Sequence, residues 1–340
     1  MIPYIAKRAV SLLLVFLGLA VLIFVIARVV PGDPARIALG PLATAAQVEE
    51  LQQEMGLDKP FVVQLGNYLS SLARADLGKS LLTNRPVLDD IRQALPATLE
   101  LVLFTLLLQI ILSIPLGVVA AVYRNTWVDN LSRIISLVGI VTPGFVLAIL
   151  LQLLASYQFE SFPVTGRLDR SLDFTADVTG LLLVDSVLAW RWDVFLDAVR
   201  HLILPATALA MAGVGQVMRI TRSSMIEVSS RDFVEASRAY GIPERVVAGR
   251  YMLRIACVAP LTILGLEFAS LIGNAFIVEF VFSWPGIASY GVRTILQKDL
   301  NAVIGVVLVS GVFFVVANLV IDVILGLVDP RHRLRAARST

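Results

Sequence analysis

Cysteine, histidine and charge are all scarce in this chain. A single cysteine, Cys257, excludes an internal disulfide and a thiolate metal cluster. Two histidines, His201 and His332, cannot build a histidine-rich metal site. Charged residues are 16% of 340, against about 25% in a soluble globular domain. The net charge of +2, with no basic run or RNA-binding signature, excludes a nucleic-acid partner. Hydrocarbon takes the place of charge. The chain is 57% hydrophobic with a mean hydropathy of +0.83, the composition of a multi-span membrane protein set in a lipid bilayer.

Catalytic patterns are missing too. There is no HExxH, no GxSxG and no Ser/His pair on facing apolar runs, so the reading is not an enzyme. Asp76–Leu81, DLGKSL, imitates the end of a phosphate-binding loop. Such a loop needs a glycine five places before Gly78 so that the backbone can wrap phosphates, and that place holds Ala73. The chain therefore has no nucleotide cofactor by this route, and any ATP-driven process would use a separate ATPase polypeptide.

Lys7 and Arg8 precede an apolar run, Ala9 to Ala27, longer than the 7–15 residues of a signal-peptide core and without an A-x-A site. It reads as a retained first span. Five more runs can cross about 30 Å of hydrocarbon: Ala97–Val122, Ile134–Tyr157, Leu202–Ile220, Cys257–Val281 and Ala302–Val328. Six spans put both termini on one side. Arg222, Arg231, Arg238, Arg245, Arg250 and Arg254 in one connection, and Arg331, Arg333, Arg335 and Arg338 at the end, make that side cytoplasmic. The expected fold is thus an all-α integral membrane protein with six transmembrane helices and both termini cytoplasmic. Its parts are a first helix (1–30), a folded extracytoplasmic loop (31–96), a core (97–328) and a cytoplasmic tail (329–340). The core carries an acidic outer insert (158–201) and a charged cytoplasmic loop (223–254).

The first loop carries folding signals. Thr44 and Gln47 form a capping box, Gly56 suits a left-handed stop, and Pro60 precedes a helix with Phe61, Leu65, Tyr68, Leu69 and Leu72 on one face. A further helix is expected over Val87–Leu95, leading into the second span. Gly180–Ala189 is too short to span and contains Asp185, so it reads as an amphipathic element in the insert.

Ionisable groups within spans are costly, about 2.5–3.5 kcal/mol at the centre, and so point to sites. Arg28 can snorkel from the end of the first span. Asn318 and Asp322, four apart near the end of the last, fit structural pairing. Glu267 lies ten residues into the fifth span, with Ser270 and Asn274 on its helical face. Two readings stand: an interhelical hydrogen-bonding group, or a residue lining a pathway.

The most unusual stretch is Ser229–Val246, SSRDFVEASRAYGIPERV, charged and helix-forming between two apolar runs. Ser229 or Ser230 can N-cap a helix with Asp232 and Glu235 in its first turn. Phe233, Ala236 and Tyr240 share a face, while Ala236 and Ala239 keep the surface shallow. Gly241 permits a left-handed stop, and Pro243 can open a second short helix. By chemistry alone this is either a solvated connector or a rigid knob that carries force from a soluble partner.

Glu235-Ala236-Ser237 with Gly241 resembles the EAA loop of ABC-importer permeases. The longer TRSSMIEVSSRDFVEASRAYGIPERVV is similar to the dipeptide/oligopeptide/nickel permease family, as are RVVPGDPARIALGP, MGLDKPFVVQLGNYL, ADLGKSL, LPATLEL, VEFVFSWPGI and NLVIDVILGLVDPR. The resemblance covers essentially the whole chain. It implies the type I ABC-importer permease architecture in a bacterial inner membrane. It also implies a second homologous permease subunit, two cytoplasmic ATPases that bind ATP and Mg, and an extracytoplasmic solute-binding protein. It makes Asp232, Phe233, Glu235, Ala236, Ser237, Ala239 and Gly241 the ATPase-coupling residues, and leaves Glu267, Ser270 and Asn274 as pathway candidates. The sequence departs from the family pattern at Tyr251 and Ile255, where histidine and asparagine are usual, at Pro260, one place late, and at Glu267, where glutamine is expected. The long insert favours a di- or oligopeptide substrate over nickel, glutathione or an opine-like solute. A secondary transporter or channel would need an ion site and an inverted repeat, and the sequence offers only Glu267 and no repeat.

Overall fold

The computed structural model describes residues 2–29, 36, 43–54, 56, 58–158 and 162–328. Among these the chain is helical, with one isolated bridge, Lys79 to Pro86, and no strand. The helices are α1 (Ile2–Val29), α2 (Ala45–Glu54), α3 (Phe61–Ala73), α4 (Val87–Val122), α5 (Trp127–Val141), α6 (Gly144–Gln158), α7 (Leu182–Leu188), α8 (Trp192–Ser229), α9 (Asp232–Ala239), α10 (Glu244–Val246), α11 (Leu253–Ala256), α12 (Val258–Val281), α13 (Ile287–Leu296) and α14 (Leu300–Val328). A π-helical turn, Val247–Met252, joins α10 to α11. The segment around Pro31–Pro41, the side chains of Arg28 and Asp322, and the tail from 329 lie outside the described residues.

Four helices, α4, α8, α12 and α14, are long and apolar enough to cross a membrane, and α5 with α6 makes a fifth if the bent pair is one span. The chain is a multi-pass membrane protein by this measure. In α1 the apolar helical stretch Leu13–Ile26 is shorter. The third run, expected as one span over Ile134–Tyr157, is instead two helices bent by 107°. Pro143 is the cause. It disfavours helical backbone at the residue before it, and Thr142 is extended at φ −79°, ψ 120°. The helix expected over Val87–Leu95 is continuous with the second span as α4, through Pro96.

The chain divides into two compact units. The first comprises residues 1–96 and 285–316. Thr44 and Gln47 close the capping box: the Gln47 side chain accepts from the Thr44 N–H at 2.9 Å, and the Gln47 N–H donates back to Thr44 Oγ1 at 3.3 Å. Helix α2 ends before Gly56 at φ +64°. Phe24 of α1 meets Phe61 of α3 edge-on and Tyr68 at a tilt, with centroids 5.3 and 5.2 Å away. DLGKSL is a turn, not a phosphate loop: Asp76 accepts from the Gly78 N–H, and buried Ser80 donates to Asp299 at 2.6 Å. Buried Asp90 gathers Thr83, Arg85 and Tyr290. Burial pushes the Tyr290 hydroxyl up to about 12.

The second unit comprises 97–284 and 317–340 and is organised on α8. Thirty-eight residues make α8 about 57 Å long, well beyond the hydrocarbon thickness. Small residues let its neighbours approach. A Cβ at Gly139 would sit 2.6 Å from the Met211 carbonyl, and one at Gly215 2.6 Å from that of Ser136. The paired positions descend on α8 as they rise on α5, so these helices are antiparallel. Gln109 reaches the Ala210 carbonyl and Gly117 meets Thr221, so α4 and α8 are parallel.

Candidate functional site

Helix α9 buries one side chain. Val234 is fully buried among Met225 and Val228 of α8 and Val247, Ala248 and Met252 of the π turn. Asp232, Phe233, Glu235, Ala236 and Ala239 all face outward, and Tyr240 beyond them is 86% exposed. Ser237 is half-buried and donates to the Phe233 carbonyl at 2.7 Å, leaving no hydroxyl proton for a partner. The result is a short polar helix with one apolar root and a broad open face.

Its ends are defined locally. Gly241 has φ +72°, its N–H donates to the Arg238 carbonyl at 2.9 Å, and Ile242 donates to that of Ser237 at 3.2 Å. This left-handed stop follows the sequence expectation. The start does not. The capping position is Arg231, without a side-chain cap bond. Ser229 and Ser230 turn back, donating to the Ile226 and Glu227 carbonyls that α8 leaves open as it ends. Pro243 sits at the cap before α10. Arg238 clamps α9 to α10 by donating twice to Glu244, at 2.7 and 3.0 Å. That bond holds the Glu244 carboxyl below its usual range and raises Arg238.

The π turn after α10 was not foreseen; Gly249 is its one local signal in the sequence. Between the last turns of α8 and the first of α12 lies a cavity of about 470 Å³, lined by Ser224, Glu227, Arg231, Ala259 and Thr262 among others. Helix α9 and the π turn form the packed bridge beside it.

The pathway candidates lie on α12. Ser270 and Asn274 are exposed, on a stripe with open Gly273 and exposed Leu266, Ile277 and Phe280. Glu267 sits at the edge of that stripe, half-buried, with no hydrogen bond or ion pair among the described residues. The structure thus brings Ser270 and Asn274 to one open face and leaves Glu267 beside it. Among the described residues no group of acidic, histidine or cysteine side chains could hold a metal ion.

Sequence reading missed the buried carboxylates at the other end of the unit. Glu100 on α4 accepts from Arg167 at 2.7 and 2.9 Å and from the Leu183 N–H at 2.6 Å. Glu279 on α12 is fully buried and accepts from Thr98 at 2.6 Å. Asp185 accepts from the Val178, Thr179 and Gly180 N–H groups and the Thr179 hydroxyl. Burial pushes its carboxyl up, and these bonds outweigh that and leave it below the usual range. Glu100 and Glu279 lie in apolar runs, and that was the available signal.

Residues 113–334 match the family described as binding-protein-dependent transport system inner membrane component, and residues 1–102 match its N-terminal region. The chain belongs to this family. It is 42% identical over 325 residues to the probable D,D-dipeptide transport system permease protein DdpB of Escherichia coli, covering 96% of each chain. It is 36% identical over 331 residues to the dipeptide transport system permease protein DppB of Alkalihalophilus pseudofirmus, covering 97% of this chain and 99% of that one. To the glutathione transport system permease protein GsiC of Escherichia coli it is 32% identical over 335 residues, covering 98% and 100%. A member of this family is a permease subunit of an ABC transporter and not an enzyme; ATP is hydrolysed by separate subunits.

Proposed function

We propose that this chain forms half of the translocation pathway of a bacterial importer for di- or oligopeptides. The observation that carries the reading is α9: a helix of EAA-type sequence with one buried root and an open face, beside the junction of α8 and α12. The peptide substrate rests on the relatives named for dipeptides. Glutathione, itself a small peptide, is the second reading, favoured by the relative of that name.

In this reading the chain has six spans, with α1 as the first and the α5–α6 pair as the third. Both termini and α9 face the cytoplasm of an inner-membrane protein of type I importer architecture. It pairs with a second homologous permease and two ATPases, which bind ATP and Mg, and a binding protein delivers substrate to the extracytoplasmic loops. Asp232, Phe233, Glu235, Ala236 and Ala239 seat in an ATPase groove, with Ser237 and Gly241 shaping the helix. Because Val234 fixes α9 to both α8 and the π turn, closure of the ATPases moves the ends of two spans together. A shift between inward- and outward-open states needs contacts that differ between those states. Glu267, Ser270 and Asn274 face the pathway that opens.

The test is a tagged purification from the native membrane, beside Gly241→Pro. Proline cannot adopt a positive φ and removes the N–H that bonds Arg238. ATPases and a second permease should accompany the parent, and the ATPases alone should be lost from the variant. A well-folded parent that supports ATP-independent uptake would sink the reading. Competition between labelled dipeptide and glutathione then separates the substrates.

A further inference from the structure

Between α5 and α8 lies a second pocket, of about 410 Å³. One wall is an ion-pair cluster. Asp129 is fully buried and accepts from Arg222 at 2.6 and 2.8 Å and from Arg133 at 2.9 Å. Arg219, one turn from Arg222, is exposed on the same pocket and meets no carboxylate or other acceptor among the described residues. Two guanidiniums therefore share one carboxylate and a third, Arg219, lines the same pocket, so Arg133 and Arg219 have donors to spare. Positive charge left over at a helix interface calls for an anion.

The surroundings say which anion. Every exposed position of α5 after Arg133 is aliphatic: Ile134, Leu137, Val138, Ile140 and Val141. Leu137 and Ile140 line the pocket itself. At the opposite, arginine end, Tyr123 and Trp127 are 56% and 74% exposed, as aromatic residues are at a membrane–water boundary. Arg222 lies seven residues before the end of α8, about 10 Å along the axis, a depth near the headgroups. A charged head above an aliphatic slope is the shape of a phospholipid.

We propose that this pocket binds an anionic phospholipid, with its phosphate between Arg133 and Arg219 and an acyl chain against Leu137 and Ile140. Basic pockets between membrane helices hold anionic headgroups in this way. Asp129 fixes the wall and prevents Arg222 from collapsing onto the site. The inference rests on the membrane reading and not on the substrate.

The test is native mass spectrometry of the whole complex, purified in mild detergent, counting retained phosphatidylglycerol against phosphatidylethanolamine. The parent should retain phosphatidylglycerol, and Arg219→Gln should lower retention about fivefold. Arg219→Lys should restore most of it, and Arg245→Gln, on the exposed cytoplasmic loop, should change nothing. Recovery of the partner subunits in the same spectra reports assembly. Independently, a photo-crosslinking residue placed at Leu137 in the otherwise unaltered chain should yield a lipid adduct. Equal retention by parent and Arg219→Gln overturns the proposal. So does a Leu137 adduct to the second permease alone, which would make this face a protein interface. Displacement of phosphatidylglycerol by millimolar inorganic phosphate would overturn it in favour of a free-anion site.

Discussion

The insert over residues 162–191 and the segment over 230–257 both connect long helices, and they are held by opposite means. The insert is tied by buried polar bonds: Arg167 to Glu100, the Leu183 N–H to the same carboxylate, and four donors on Asp185. Its apolar cluster is small, built on Leu182, Val194 and Ala198. The segment is held by apolar side chains, Val234 of α9 with Val247, Ala248, Met252 and Ala256 after it, packed on Met225 and Val228 of α8, and the charged side chains of α9 are exposed. Buried charge-assisted bonds are directional and fix one geometry. An apolar root fixes position and leaves Asp232 and Glu235 of α9 at the surface. The first arrangement suits a platform, the second a part that is gripped from outside.

The comparison breaks most easily at Arg167. Truncating one partner of a buried pair leaves a charge without compensation and costs about 3–5 kcal/mol. Arg167→Ala, which leaves Glu100 almost wholly buried beside one N–H donor, should release the insert. Limited proteolysis in membrane vesicles should then cut within 162–181, while cleavage over 232–246 stays as in the parent. Equal protection of the insert in both would mean its apolar cluster suffices. Next in size is Val234→Ala, which removes two methyl groups from a fully buried site at about 2 kcal/mol. The mirror result is expected: faster cleavage at 232–246, an unchanged insert, and weaker retention of ATPase subunits. Below that stands Gly241→Ala. Open space surrounds the position, so only the left-handed backbone is strained, at about 1 kcal/mol. Hydrogen exchange at Ile242 should speed up about fivefold, with no change around Asp185.

Much of this contrast was legible in the sequence, for a physical reason. Local signals act over three or four residues, and they located the capping box at Thr44 and Gln47, the stop at Gly56 and the turn at Gly241. Ser229 and Ser230 were read at the wrong end because a serine hydroxyl serves either neighbour: the carbonyls closing α8 competed with the N–H groups opening α9, and won. The bend at Pro143 was signalled by proline itself, but an apolar run of sufficient length overrode it. The pairings of Glu100 with Arg167 and of Asp129 with Arg222 bridge 67 and 93 residues, and composition carries no information about such partners.

The smallest effect expected sharpens the comparison at a single proton. Glu244 is partly exposed and its carboxyl is lowered by the bond from Arg238, so folding favours its charged form. A depressed folded pKa contributes stability that is present above the ordinary glutamate value, about 4.3, and is lost as pH falls through the lower folded value. Between pH 7 and 5 the clamp between α9 and α10 should therefore not change. Below about 4.3 it should loosen, seen as extra hydrogen-exchange opening at Ile242 and Val246 after correction for intrinsic rates. Glu244→Gln should abolish that dependence and resemble the acidified parent at every pH. Asp185 is depressed as well, by bonds from its own loop, so the insert also loosens in acid, and Glu244→Gln must leave that second transition untouched. A variant that altered both would show that the two regions are mechanically one, and that the division of labour between platform and gripped helix does not hold.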